Sequence, residues 1–110
     1  MDQALATRIK GILEAQRVVL FMKGNKMFPQ CGFSAQVVGI LKQSGVEFET
    51  HNILSDADLR QGLKEYSNWP TYPQLYVKGE LVGGCDIAMQ MLQSGELQKL
   101  IDEAGAKTAA

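Results

Sequence analysis

Cys31-Gly32-Phe33-Ser34 reads like a dithiol redox loop in which a hydroxyl has replaced the second thiol. Two thiols at this spacing could cycle between dithiol and disulfide, whereas Cys31 and Ser34 cannot. Cys31 sits between the Gly/Pro-punctuated loop "KGNKMFPQCG" and an amphipathic run, so it lies where a helix begins. Free amide donors and the positive end of the helix dipole collect there, and both favour a thiolate. Lys23, one residue past a buried-strand pattern, could return a positive charge to the same place, and Ser34 could donate a hydrogen bond to the thiolate. These features suit a nucleophile; the competing reading is a small buried core cysteine. A disulfide cycle would need an outside thiol or the second cysteine of the chain, Cys85.

Two further stretches could meet a ligand. In Thr71-Tyr72-Pro73, a cis Pro73 would turn the Tyr72 backbone N–H and C=O outward, where an extended peptide could pair with them; the alternative is an ordinary rigid loop. In Gly83-Gly84-Cys85-Asp86, two glycines before a helix start allow close approach to the backbone. Asp86 there could cap its own helix or accept a hydrogen bond from a ligand amine. Arg60 and Lys64 share a helix face that reads as solvated unless a carboxylate ligand lies nearby. Trp69 reads as packing beside these elements and His51 as a solvated strand residue. One histidine and two cysteines are too few for a self-contained tetrahedral metal site without carboxylates.

The elements that must position these residues follow from periodicity. Leu5, Ile9, Ile12 and Leu13 form a helical stripe ending near Gln16, and Val18 to Met22 reads as a fully buried strand. Phe33, Val37, Ile40 and Leu41 predict a second helix, stopped at Gly45. "VEFETHNI" alternates Val46, Phe48 and Thr50 against Glu47, Glu49 and His51, as a strand with one polar face would. Ser55 to Asp58 resembles a capping box opening a helix with Leu59, Leu63 and Tyr66 on its apolar face. "NWPTYP" is irregular because two prolines restrict it. "QLYV" and "ELVG" flank Lys78-Gly79 as a tight hairpin. A helix from Asp86 to Gln93 follows; Gly95 interrupts it, and Leu97, Leu100, Ile101 and Ala104 continue in helical spacing. The order α-β-α-β-α-β-β-α predicts an α/β domain: a mixed four-stranded sheet, one parallel pair plus a hairpin, with helices on both faces.

Bulk properties narrow the function classes. The 110 residues fit one domain, with its core at about 4–103 and a flexible tail at 104–110. The chain is 45% hydrophobic and 21% charged with a formal net charge of −1, and it has no basic stripe, which argues against nucleic-acid binding. No apolar run approaches the roughly 18 residues that a membrane span needs. The N-terminus resembles neither a signal peptide nor a transit peptide, and two widely separated cysteines suit a reducing compartment.

Taken together, "FMKGN", "PQCGFSAQVV", "RQGLKEYSNWPTYPQLYVKGELVGGCDI" and "SGELQKLI" resemble the monothiol, CGFS-type glutaredoxins over nearly the whole chain. The resemblance implies a thioredoxin fold with Pro73 cis. It implies glutathione in a groove: Lys23 and Arg60 at its glycyl carboxylate, Thr71 and the Tyr72 backbone along its cysteinyl unit, Gly84, Cys85 and Asp86 at its γ-glutamyl end, and Phe33 alongside. It also implies a labile [2Fe–2S] cluster shared by a homodimer, ligated by one Cys31 and one glutathione thiol from each side. Such a protein would act in iron–sulfur cluster assembly and transfer to apo iron–sulfur clients, and in iron homeostasis, with BolA-like proteins as further partners. The apo form would be a monomer, because no exposed apolar stripe is evident. The competing reading is a glutathione-dependent thiol–disulfide oxidoreductase with Cys31 as nucleophile, an activity expected to be weak at most in this class. The compartment would be the cytoplasm of a bacterium, or the plastid stroma or mitochondrial matrix after removal of a presequence.

Overall fold

Val18–Met22 (β1) is buried at every position, and the other elements are arranged around it. The computed structural model describes residues 1–109. Gln3–Ala15 (α1) precedes β1. Gly32–Gln43 (α2), Glu49–Asn52 (β2), a 3-10 turn at Ile53–Ser55 and Ala57–Tyr66 (α3) come next. Gln74–Val77 (β3), Glu80–Gly83 (β4), Cys85–Ser94 (α4) and Glu96–Glu103 (α5) complete the order expected from the periodicities. The sheet runs β2-β1-β3-β4. β1 pairs parallel with β2, and the other two pairings are antiparallel.

Alternation along β1 divides the core in two. Val18, Leu20 and Met22 face a cluster built with Val37 and Leu41 of α2, Ala88 of α4, and Leu97 and Ile101 of α5. Val19 and Phe21 face the other cluster, with Ile9 and Leu13 of α1 and Leu59 and Leu63 of α3. Each large side chain fully buried in this way is worth about 1.5–3 kcal/mol in apolar transfer. The hairpin turn is formed at Lys78 and Gly79, both with positive φ (52° and 80°), as a two-residue primed turn requires. The Tyr72–Pro73 peptide is cis.

Several local expectations need correction. The cap of α3 is Asp56, whose carboxylate accepts the Leu59 N–H at 3.1 Å; Ser55 belongs to the preceding 3-10 turn. Asp86 does not cap α4: Gly84 occupies the cap, with no side-chain hydrogen bond there among the described residues. β2 is shorter than the alternating run, because Val46 leaves the sheet to bridge Thr108. That bridge also ties down the segment expected to fray. Glu47 N–H donates to Lys107 O and Ala109 N–H to Gly45 O, both at 2.8 Å, and Ala104 is buried. Ala110, the last residue of the expected tail, lies outside the described residues. His51 is half-buried and stacked on Phe21 with ring centroids 5.5 Å apart, and burial pushes its pKa down.

The register brings distant chemistry to one end of the sheet. Phe21 pairs with Gln74 and Leu75 with Gly83. The residues just beyond the end of β1, just before β3 and just after β4 are therefore neighbours. These are the Lys23 region, Pro73 and Gly84. No helix among the described residues is long and apolar enough to cross a membrane.

Candidate functional site

At that end of the sheet lies an open cleft of about 610 Å³. Lys23 follows β1, Cys31 and Phe33 begin α2, and Arg60 comes from α3. Thr71, Tyr72 and Pro73 lead into β3, and Gly84, Cys85 and Asp86 begin α4. All of them line the cleft, so these residues, far apart in the sequence, reach one place; Gly83 is not among the lining residues.

Cys31 is the N-cap of α2, with extended backbone (φ −150°, ψ 137°). Its thiol is held below its ordinary pKa chiefly by the backbone N–H of Ser34. Partial burial opposes that shift. The Phe33 N–H, the Lys23 ammonium and the Ser34 hydroxyl reinforce it. The sequence argument for a helix-start thiolate thus acquires particular donors.

Cys85 has the opposite character. It is buried, and burial pushes its pKa up, with Asp86 and then Cys31 adding to the effect. Its thiol donates to Gln36 Oε1 at 2.8 Å. Both cysteines are free thiols. One is accessible and acidic; the other is a protonated donor engaged by a neighbouring helix.

The cleft is lined by charges of both signs. Lys23, Arg60 and Lys64 supply cations, whereas Asp86 supplies an anion in the first turn of α4. Lys64 reads as solvated in the sequence, yet it lines the cleft; the signal that could have included it is its spacing of four residues from Arg60 on the same helix. Gly84 packs tightly on the loop that enters β3: a Cβ there would stand 3.3 Å from Pro73 O.

Sequence reasoning missed the support beneath this loop. Gln74 is fully buried, and its amide nitrogen donates to Trp69 O at 3.1 Å and Thr71 O at 3.2 Å. Its Oε1 accepts the Tyr76 hydroxyl at 2.8 Å, and Tyr76 also bonds the Ser67 hydroxyl. A glutamine in an apolar strand was the available signal, since a buried amide must find partners. Trp69 packs beside the site as expected; its buried Nε1 has no hydrogen-bond partner among the described residues.

The sequence made no exposed apolar stripe evident, but the loop before Cys31 and the start of α2 carry exposed apolar groups. They are Met27 (73%) and Phe28 (74%) on that loop and Phe33 (61%) in the first turn of α2. The loop that carries the first two is tied by a Gly24–Pro29 bridge and by Asn25 Oδ1, which accepts both the Met27 and Phe28 N–H groups at 2.9 Å.

Residues 18–82 match the glutaredoxin family model. The chain is 53% identical over 104 residues to an uncharacterised monothiol glutaredoxin of Synechocystis, covering 94% of this chain and 97% of that one. It is 54% identical over 101 residues to monothiol glutaredoxin-S11 of rice, covering 92% of this chain but only 21% of that longer protein. The solution structure of reduced apo GrxS14 from poplar superposes with a TM-score of 0.83 at 55% identity, covering 92% of this chain and 93% of that one.

Proposed function

The chain belongs to the glutaredoxin family as a monothiol glutaredoxin with the thioredoxin fold, and from that premise we propose that it binds glutathione in the Cys31 cleft and carries a [2Fe–2S] cluster for delivery to other proteins. The observation that carries this reading is one acidic, accessible thiol in a single cleft lined by both cations and an anion. Glutathione is a short anionic peptide with carboxylates, one free amine and a thiol. Its glycyl carboxylate suits Lys23 and Arg60, its cysteinyl amide suits the Tyr72 backbone framed by Thr71 and Pro73, and its γ-glutamyl amine suits Asp86, with Gly84 and Cys85 at the same end. Phe33 covers the groove.

The donor set fits a shared cluster. Among the described residues no three His, Cys, Asp or Glu side chains converge as a metal site. With Cys85 buried and bonded to Gln36, one protomer offers the Cys31 thiolate, and four thiolates require a second protomer and two outside thiols. Glutathione held beside Cys31 supplies these. The cargo is then held half by exchangeable ligands, which suits transfer to apo iron–sulfur clients and a role in iron homeostasis. Met27 and Phe28 are exposed on the loop that leads to Cys31 and Phe33 is exposed two residues after it, apolar surface that a second copy or a BolA-like protein approaching Cys31 could cover.

The accessible, acidic Cys31 also favours a second reading as a glutathione-dependent oxidoreductase. The Cys31 thiolate would attack the glutathione sulfur of a glutathionylated protein, breaking that S–S bond; the protein thiolate leaves and takes up a proton. A second glutathione thiolate then attacks the Cys31–glutathione disulfide, releasing oxidised glutathione and restoring the Cys31 thiolate.

Anaerobic incubation with iron, sulfide and glutathione separates the two, read by visible absorption, CD and solution mass. The carrier reading expects a cluster that forms only with glutathione and only in a dimer. It is lost in Cys31→Ser and largely retained in Cys85→Ser. A full cluster in Cys31→Ser would sink it. No cluster in the wild type, together with fast reduction of a glutathionylated substrate, would favour the enzyme.

A further inference from the structure

Tyr72 belongs to the groove in two capacities. Its backbone lines the cleft, while its side chain turns inward and joins the core cluster containing Leu59 and Leu63 of α3. There its hydroxyl donates to the backbone carbonyl of Arg60 at 2.5 Å. A peptide carbonyl has two lone pairs, so this bond is compatible with the helical one from the next turn. Burial raises the Tyr72 pKa far above its ordinary value, so the hydroxyl remains a protonated donor. Arg60 is fixed on its other side, where its N–H donates to Asp56 O at 3.0 Å.

We infer that the Tyr72 hydroxyl is a positioning group for Arg60, setting the spacing between that cation and the Tyr72 backbone. The inference rests on the glutathione reading above and deepens it. In that reading Arg60 meets the glycyl carboxylate and the Tyr72 backbone meets the adjacent cysteinyl unit. These two contacts lie on neighbouring residues of the ligand but on separate walls of the cleft, one on α3 and one on the loop entering β3. The Tyr72–Arg60 bond joins those walls directly. The side chain of Tyr72 thereby ties its own backbone to the helix peptide from which the guanidinium projects. Without it, the loop and helix keep their apolar packing but lose the bond that fixes their separation. Binding of the glycyl end then suffers more than folding does.

The test is calorimetric titration with two ligands: glutathione, and its glycyl monoethyl ester, which lacks the terminal charge. Wild type is expected to bind the acid more tightly than the ester. Tyr72→Phe keeps the ring and removes the hydroxyl. It is expected to weaken glutathione binding about three- to ten-fold, the range for one hydrogen bond, while leaving the ester within about two-fold. In an Arg60→Ala background, Tyr72→Phe should cause no further loss, because the group it positions is gone. Equal weakening of acid and ester would mean a general structural role and overturn the inference, as would unchanged glutathione affinity in Tyr72→Phe. A wild type that binds neither ligand would remove the glutathione reading and this inference with it. A thermal melt of each variant in the same buffer confirms that folded protein was titrated.

Discussion

The hydroxyl of Ser34 accepts a hydrogen bond from the Lys23 backbone N–H at 3.2 Å, joining the start of α2 to the residue that leaves β1. Ser34 is fully buried. Its backbone N–H is the principal group that lowers the Cys31 pKa, and its hydroxyl adds to that effect. The position that would hold the second thiol of a dithiol loop therefore has two tasks here: it closes a junction in the core, and it stabilises a thiolate that a disulfide would consume.

Ser34→Ala should expose both tasks. Leaving the part-buried Lys23 N–H without its acceptor is expected to cost about 1–3 kcal/mol, measured by urea unfolding. The same variant should shift the pH midpoint of Cys31 alkylation upward, because a donor to the thiolate has gone. An unchanged midpoint would show that the hydroxyl does not tune the thiol.

The two cysteines should separate in a pH series of alkylation followed by mass spectrometry. Cys31 has a lowered pKa and Cys85 a raised one. As pH rises, the Cys31 thiolate should therefore appear first, below the ordinary thiol value of 9.0, and Cys85 above it. Gln36→Leu removes the acceptor of the Cys85 thiol, and faster alkylation of Cys85 in that variant is the expected result. Simultaneous modification of both thiols in the native protein would contradict the assignment.

Gln74→Ala leaves Trp69 O, Thr71 O and the Tyr76 hydroxyl short of a partner beneath the cleft. A loss of at least about 2 kcal/mol in unfolding free energy is expected, since each unsatisfied buried group costs about 1–3 kcal/mol. If the variant remains folded, its glutathione affinity should fall as well, because the Thr71–Tyr72 backbone loses its support. A variant as stable as wild type would mean that the amide is not needed.

Arg8 of α1 and Asp56, the cap of α3, form an ion pair at the surface. The Arg8 guanidinium is the main cause of the lowered Asp56 pKa. A carboxylate whose folded pKa is depressed stabilises the fold above its unfolded value, ordinarily 3.8 here. That stability is lost as pH falls through the lower folded value. Both side chains are partly exposed, so Arg8→Ala should cost only about 0.2–1 kcal/mol at pH 7. The difference from wild type should shrink toward zero in acid unfolding below that range. A difference that persists there would assign the effect to Arg8 packing rather than to its charge.

Gly24 has φ of 89°, and a Cβ there would stand 2.4 Å from Phe28 O and 2.7 Å from Gln30 N. Both obstacles are backbone, so neither can rotate away. Gly24→Ala is expected to cost about 1–3 kcal/mol from the backbone conformation, with the steric clash in addition. It should also release the loop carrying Met27 and Phe28, which limited proteolysis would detect.

The elements themselves were legible in the sequence because they depend on neighbours along the chain. The stripe of α1, the buried run of β1, the Lys78–Gly79 turn and the placement of Cys31 at a helix start all follow from spacings of a few residues. The order of those elements was enough to imply a mixed sheet, and the CGFS and WPTYP stretches carried the family. Where the local signal was ambiguous, tertiary contacts decided. Asp56 rather than Ser55 caps α3, and Asp56 also meets Arg8 of α1, a partner that no local spacing specifies. Glu47 and Gly45 capture the C-terminal segment, which by composition alone looked free. Which residues meet across the cleft depended on register: pairing Phe21 with Gln74 and Leu75 with Gly83 brings Lys23, Pro73 and Gly84 to one end of the sheet. The Tyr72–Arg60, Gln74–Trp69, Ser34–Lys23 and Cys85–Gln36 bonds depend on that packing. A buried polar group takes whichever partner the packing brings within about 3 Å, and no spacing rule in the chain specifies that partner.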